Sequence, residues 1–171
     1  NINLPKKLKI NKFSSDILDR KWDLIVIAVS SIGIDLIGKN LSKIKNKSPI
    51  LVLTKGLKLD GRNLISMSSL LRKYNKNLNI SVLKGPCLAK ELARKVKSFT
   101  VVANKNINTA KKIGKLISTN YYQTEFSRDV NGVEFLSAIK NIYSMIIGSG
   151  QWHNTSSALF RKSIDEMKYL A

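Results

Sequence analysis

Three places in this chain carry groups that could handle an anionic, carbonyl-bearing ligand: Lys55, the turn Gly85-Pro86-Cys87, and Lys140. Lys140 says the most. It lies in the run Asp129–Asn154, where Phe135, Ile139, Ile142 and Ile146 recur at helical spacing as one apolar stripe. Leu136, Tyr143 and Ile147 form a second stripe, and Lys140 falls inside it. A helix apolar over so much of its surface is normally buried. Its lysine must then reach water, meet an anion or give up its proton. Two readings follow: the stem packs while the ammonium escapes to solvent, or the ammonium faces a cleft that takes an anion. Lys55-Gly56 and Gly85-Pro86-Cys87 each close an apolar, strand-like run, and the second opens a helix whose first amides are unpaired. Two ammonium groups and those amides around one cleft would suit a phosphorylated metabolite with a carbonyl group.

Other chemistries find little support. There is no G-x-S-x-G and no Cys–His pair for acyl chemistry, and His153 stands alone, without a metal-ligand set. Cys87 near a helix start could have a lowered thiol pKa, but a small packed thiol is the commoner outcome. G-x-G-x-x-G, the turn that cradles a dinucleotide pyrophosphate, does not occur in the 171 residues.

The elements that must position these groups can be read in order. Asn1–Phe13, basic and broken by Pro5, reads as a loop or weak edge strand, and Ser14-Ser15-Asp16 as the cap of a short helix through Arg20. Leu24–Val29, Ile50–Thr54, Asn79–Leu83, Phe99–Ala103 and Tyr121–Phe126 read as strands. The continuous apolar runs among them suit a parallel sheet buried on both faces. Between them, helices are expected over Ile32–Lys45, Gly61–Tyr74, Leu88–Lys95 (with Pro86 near the first turn) and Ile107–Ser118. Asp129 caps the long helix, which Gly148 and Gly150 are expected to end in a left-handed turn, and Trp152–Leu170 forms a last helix beside it. Strands alternating with helices imply a mainly parallel sheet with crossovers, whose ligands bind beyond the carboxyl ends of the strands. From Asp129 onward the pattern is helical alone, so the chain divides into 1–128 and the start of a helical unit, 129–171.

Thirty Lys and Arg against eleven Asp and Glu give a net charge of +19. That charge favours anionic partners, but the lysines are scattered and accompanied by Asn and Ile, as a coding bias would produce. With 7% aromatic residues and no basic cluster, no specific nucleic acid is expected. The single cysteine permits no internal disulfide, which suits a reducing cytoplasm. No stretch reads as a membrane span or signal peptide. The first residue is Asn1, which reads as a processed chain or a fragment.

At the level of motifs the chain resembles the NAD(P)-dependent glycerol-3-phosphate dehydrogenases. Lys55-Gly56 matches that family's strand-end K-G, and Gly85-Pro86-Cys87-Leu88-Ala89-Lys90-Glu91 its G-P-S-F-A-K-E turn. Asp129, Gly132, Glu134, Ala138, Lys140 and Asn141 match D-x-x-G-x-E-x-x-x-A-x-K-N, and Asn154, Ala158, Glu166 and Met167 match a further helical segment loosely. Cys87 stands in place of the usual serine, Leu88 of phenylalanine, and Ser30 of a proline. The resemblance implies an α/β fold: a Rossmann-like, mostly parallel sheet with flanking helices, followed by the first helices of an all-α C-terminal domain. It implies NAD or NADP as cofactor and dihydroxyacetone phosphate and glycerol 3-phosphate as the substrate pair, and it leaves a homodimer open. By position, Lys140 corresponds to the catalytic acid/base and a substrate contact. Lys55 corresponds to a contact shared by substrate and cofactor, Gly85 and Cys87 to substrate contacts, and Ala89 to a cofactor contact. It further implies a glycine-rich half-domain preceding these residues and a substrate-binding Asp and Arg-Asn pair following them, so the chain by itself is expected to be inactive. The alternatives are a relative acting on another polyol phosphate or a 2-keto acid, a non-catalytic remnant of the fold, and a basic nucleic-acid-binding module.

Overall fold

A computed structural model describes residues 7–45 and 47–170. Five strands form the main sheet: β1 (Ile25–Ile27), β2 (Ile50–Val52), β5 (Ile80–Lys84), β6 (Ser98–Ala103) and β7 (Tyr122–Ser127), in the order β1-β2-β5-β6-β7. β1, β2 and β5 run parallel, as do β6 and β7, while β5 and β6 pair antiparallel. The sheet is therefore mostly parallel, with every main strand near its expected place. The helices are α1 (Ile34–Leu41), α2 (Met67–Tyr74), α3 (Ala89–Ala93), α4 (Ile107–Ile117), α5 (Val130–Gly148) and α6 (His153–Leu170).

The sheet separates two apolar clusters, as period-two alternation requires. Ile50 and Val52 join Ile34, Leu41, Leu71, Ile80, Val82 and Val130 on the face covered by α1, α2 and the start of α5. Leu51 and Val102 meet Ala110 and Ile113 of α4 on the other. In α1 the buried residues Ile34, Ile37, Gly38 and Leu41 keep the spacing of one helix face. Gly38 is required there, because a Cβ would lie 2.2 Å from the Tyr74 ring of α2.

Several expectations need correction. The helix expected over Gly61–Tyr74 begins at Met67, and the preceding residues form an antiparallel hairpin, β3 (Leu57–Asp60) with β4 (Asn63–Ser66). Gly61, at φ 62°, supplies the left-handed residue of its two-residue loop. Ile32–Lys45 shortens to a 3₁₀ turn at Ser31–Gly33 followed by α1, and the early helix through Arg20 is a 3₁₀ turn over Ser15–Ile17. α3 has five residues, begins beyond Pro86 and ends before Lys95, whose φ is 58°. Gly148 and Gly150 do not end α5 in a left-handed turn: its C-cap is Ser149 in right-handed geometry, with the Ser149 hydroxyl donating to the Ile146 carbonyl at 2.7 Å. Gly150 instead permits close approach of α6, since a Cβ would sit 2.6 Å from the Ser156 hydroxyl. Of the expected N-terminal loop or edge strand, residues 1–6 lie outside the described residues, and Lys7–Phe13 has neither helix nor strand.

Candidate active site

β2 and β5 are parallel neighbours, so Lys55-Gly56 and Gly85-Pro86 leave the sheet side by side at its carboxyl edge. β6 runs the other way and passes close to Gly85, where a Cβ would meet the Phe99 carbonyl and Thr100 Cγ2 at 2.8 Å. Only glycine fits that crossing without displacing the β6 backbone.

Lys140 arrives from α5. Asp129 caps this helix, its carboxylate accepting from the Gly132 amide at 2.8 Å. One turn later Glu134, 3% exposed, reaches the amino end of α2. It accepts from the Ser68 amide at 3.2 Å and from the Ser68 hydroxyl. Arg72 donates to that hydroxyl at 3.3 Å and to the Ile80 carbonyl at 3.2 Å. Burial lowers the Arg72 pKa, and the Glu134 charge opposes that shift. This buried polar knot fixes the height and rotation of α5 against α2 and β5.

So held, α5 presents Val133, Leu136, Ser137 and Lys140 to a cavity of about 340 Å³ whose other walls are Lys84, Gly85, Pro86, Val101 and Met167. Lys140 is half-buried, neither lost in the core nor free in bulk solvent. Gly85 and Lys140 thus share one cavity. Lys55 is exposed on the adjoining edge, close enough to Lys84 to influence its charge, but does not line the cavity. Cys87 is half-buried and lies beside Tyr122, outside the cavity walls. The Tyr122 phenol pKa is raised, chiefly by burial. Ala89 is exposed at the first position of α3. The helix that starts after Gly85 is short: α3 is a turn and a half, and its Glu91 and Leu92 amides donate to the Leu88 carbonyl.

The sequence reading missed Lys84. It ends β5 at 5% exposure, with its ammonium donating to the carbonyls of Leu53 at 3.3 Å and Thr54 at 2.5 Å. Burial pulls its pKa down to about 8, with Glu134 opposing and Lys55 assisting that shift. The signal was present: a lysine closes the run Ile80-Ser81-Val82-Leu83 directly before Gly-Pro. A cavity with two lysines and mostly apolar walls can hold an anion and can stabilise negative charge developing on a ligand oxygen. Among the described residues no group of three metal-ligating side chains occurs.

The family model described as NAD-dependent glycerol-3-phosphate dehydrogenase N-terminus matches residues 1–110. The chain belongs to this family. It is 32% identical over 96% of its length to a glycerol-3-phosphate dehydrogenase [NAD(P)+] of Leptospira biflexa, covering 51% of that protein. It is 33% identical over 85% of its length to one of Saccharophagus degradans, covering 41% of it. The chain therefore spans about half the length of the curated relatives it matches. The crystal structure of a glycerol-3-phosphate dehydrogenase from Coxiella burnetii superimposes with a TM-score of 0.82 at 24% identity, over 99% of this chain and 53% of that one. That likeness establishes the fold, a Rossmann-like, mostly parallel sheet with flanking helices.

Proposed function

We propose that the protein interconverts dihydroxyacetone phosphate and sn-glycerol 3-phosphate with NAD or NADP, supplying a precursor of glycerophospholipids in the cytoplasm. In this reading residues 1–128 are the C-terminal part of the dinucleotide-binding domain and 129–171 the start of the helical substrate domain. The observation that carries it is the position of Lys140, in the wall of a largely apolar cavity with Gly85. The residues present suit a dinucleotide: Gly56, at φ 135°, leaves the turn after β2 without a side chain, and Lys55 beside it is exposed to meet a negative charge. When bound, the nicotinamide supplies or accepts the hydride at the substrate's central carbon. Lys140 gives its proton to the oxygen on that carbon in reduction and takes it back in oxidation. Lys55 neutralises charge shared by substrate and cofactor, Gly85 and Cys87 contact substrate, and Ala89 lies along the cofactor. No described helix is long and apolar enough to cross a membrane.

The test is dihydroxyacetone phosphate-dependent oxidation of NADH and NADPH by the full-length protein. Lys140→Ala should lower kcat by about 10²–10⁴-fold, the usual worth of a general acid, with cofactor affinity unchanged. Lys140→Arg should restore little, because a guanidinium keeps its proton near neutral pH. Full turnover by Lys140→Ala would remove Lys140 from the chemistry.

A further inference from the structure

Side chains hold the carboxyl edge of the sheet together where its backbone ladder stops. β1 pairs with β2 as far as Ile27 and Val52, and one further bond runs from the Leu53 amide to the Ile27 carbonyl at 2.9 Å. β2 pairs with β5 as far as Val52 and Val82. Beyond those residues the strand ends carry Lys55-Gly56 and Gly85-Pro86, at the edge where an open α/β sheet takes its ligands. Buried backbone groups past the end of a ladder must find partners elsewhere. Two side chains supply them here. The Thr54 hydroxyl donates to the Val29 carbonyl at 2.7 Å, tying the end of β2 to that of β1. The Lys84 ammonium donates to the Leu53 and Thr54 carbonyls, tying the end of β2 to that of β5.

The second tie lands on a particular peptide. The Thr54 carbonyl belongs to the planar unit that continues into the Lys55 amide. Whatever grips that oxygen sets the direction in which Lys55 leaves the strand. Gly56 follows at φ 135° and, lacking a side chain, adds little restraint of its own. Thr54 and Lys84 are each 5% exposed, whereas Lys55 is exposed. An exposed lysine thus hangs from a buried, charge-assisted anchor, a bond roughly twice as strong as a neutral one. The charged groups facing Lys84 are Glu134 and Lys140 of α5, Lys55 after β2, and Arg72 of α2, which donates to the Ile80 carbonyl of the same strand. β6, on its other side, carries no titratable side chain. The Glu134 oxygens bond to Ser68, so the grip of Lys84 falls on the two carbonyls.

We propose that Lys84 is a positioning residue, which fixes Lys55 by gripping the Thr54–Lys55 peptide from β5. The role of Lys55 toward substrate and cofactor rests on the dehydrogenase reading, whereas the grip rests on the bonds at the strand ends. The Thr54 hydroxyl holds the same residue from the β1 side, so the peptide is clamped between its two neighbouring strands. The clamp depends on the Lys84 proton. Burial brings the pKa of Lys84 down to about 8, and above that pH a neutral amine replaces the charged donor and the hold on Lys55 loosens.

Thr54-Lys55 is the one Thr-Lys pair in the 171 residues. NMR of the full-length protein with carbonyl-labelled threonine and nitrogen-labelled lysine therefore reports this peptide, its signal assigned by its loss in Lys55→Met. In the wild type it should titrate with a midpoint near pH 8, and in Lys84→Met it should stay flat. A flat signal in the wild type, or a titration that survives in Lys84→Met, would overturn the grip; the wild-type arm needs no variant to fold. In turnover, Lys55→Met and Lys84→Met should each raise the KM for dihydroxyacetone phosphate about tenfold, the worth of one charged contact. The double variant should stay within about twofold of the poorer single, since both changes remove the same contact. A rise of about a hundredfold in the double variant would mean independent effects and defeat the positioning role. A wild-type protein whose peptide titrates as expected, yet which turns over no dihydroxyacetone phosphate, would sink the dehydrogenase reading and keep the grip.

Discussion

From Val130 to Glu134, α5 buries Val130, Gly132 and Glu134; from Ile142 to Ile146 it leaves Ile142, Met145 and Ile146 exposed. The apolar stripes continue through both halves, so stripe content does not explain the difference. What separates the halves is what they pack on: Val130 and Val133 join the core over the sheet, and the Asp129 cap and the bonds from Glu134 to the start of α2 exist in the first half alone. Tyr143 is the exception beyond them, buried beside Glu166 of α6. Lys140 stands at the changeover, anchored from one side and open on the other. A buried carboxylate, together with the Val130 and Val133 contacts, therefore sets where Lys140 points.

Three measurements would break or sharpen that contrast. Removing the anchor should cost most. Glu134→Ala leaves Ser68, Arg72 and Lys84 without their carboxylate and should lower stability by about 3–5 kcal/mol in urea unfolding, as for other severed buried charges. A loss below about 1 kcal/mol would show that the apolar stripes carry α5 after all. Next, Leu71, fully buried in the core that Val130 joins, should cost about 2–5 kcal/mol as Leu71→Ala. Met145, at 76% exposure, should change stability by less than about 0.5 kcal/mol as Met145→Ala. Equal losses would erase the distinction between the halves.

A separate effect concerns pH. Lys84 has a pKa of about 8 when folded, against an ordinary lysine value of 10.5. Below pH 8 it is protonated in both states, and its burial weighs fully against folding. Between pH 8 and 10.5 the unfolded chain holds the proton that the folded chain has shed, so this penalty is relieved as pH rises. Against Lys84→Met, the wild type should gain about 3 kcal/mol across that window. Parallel stability profiles for the two proteins would place Lys84 in ordinary solvent.

The strands were legible because continuous apolar runs bounded by polar turns leave few alternatives: Ile50–Thr54 and Phe99–Ala103 came out close to their observed places. The β3–β4 hairpin was hidden because Leu64, Ser66 and Met67 also fit the start of an amphipathic helix. Gly85 and Lys140 could be singled out in sequence because each is odd for its place, a glycine at a strand end and a lysine in an apolar stripe. Lys84 could not: its significance lies in its burial and in its bonds to the Leu53 and Thr54 carbonyls, which one sequence does not display. Glu134 was visible as part of a motif, but its partner Ser68 lies 66 residues away, a distance that local patterning does not cross.

The reversed direction of β6 sets a length. The chain enters β6 at the ligand edge of the sheet, leaves β7 at the opposite edge, and must climb back along α5 to return a lysine to Gly85. The five residues of β5 span about 16 Å at roughly 3.3 Å each. The climb from Asp129 to Lys140 covers about 16 Å at roughly 1.5 Å per residue. α5 therefore acts as a measuring rod cut to the height of the sheet. Deleting one residue between Glu134 and Lys140 would leave the anchor seated, swing the lysine about 100° around the rod, and turn it away from Gly85.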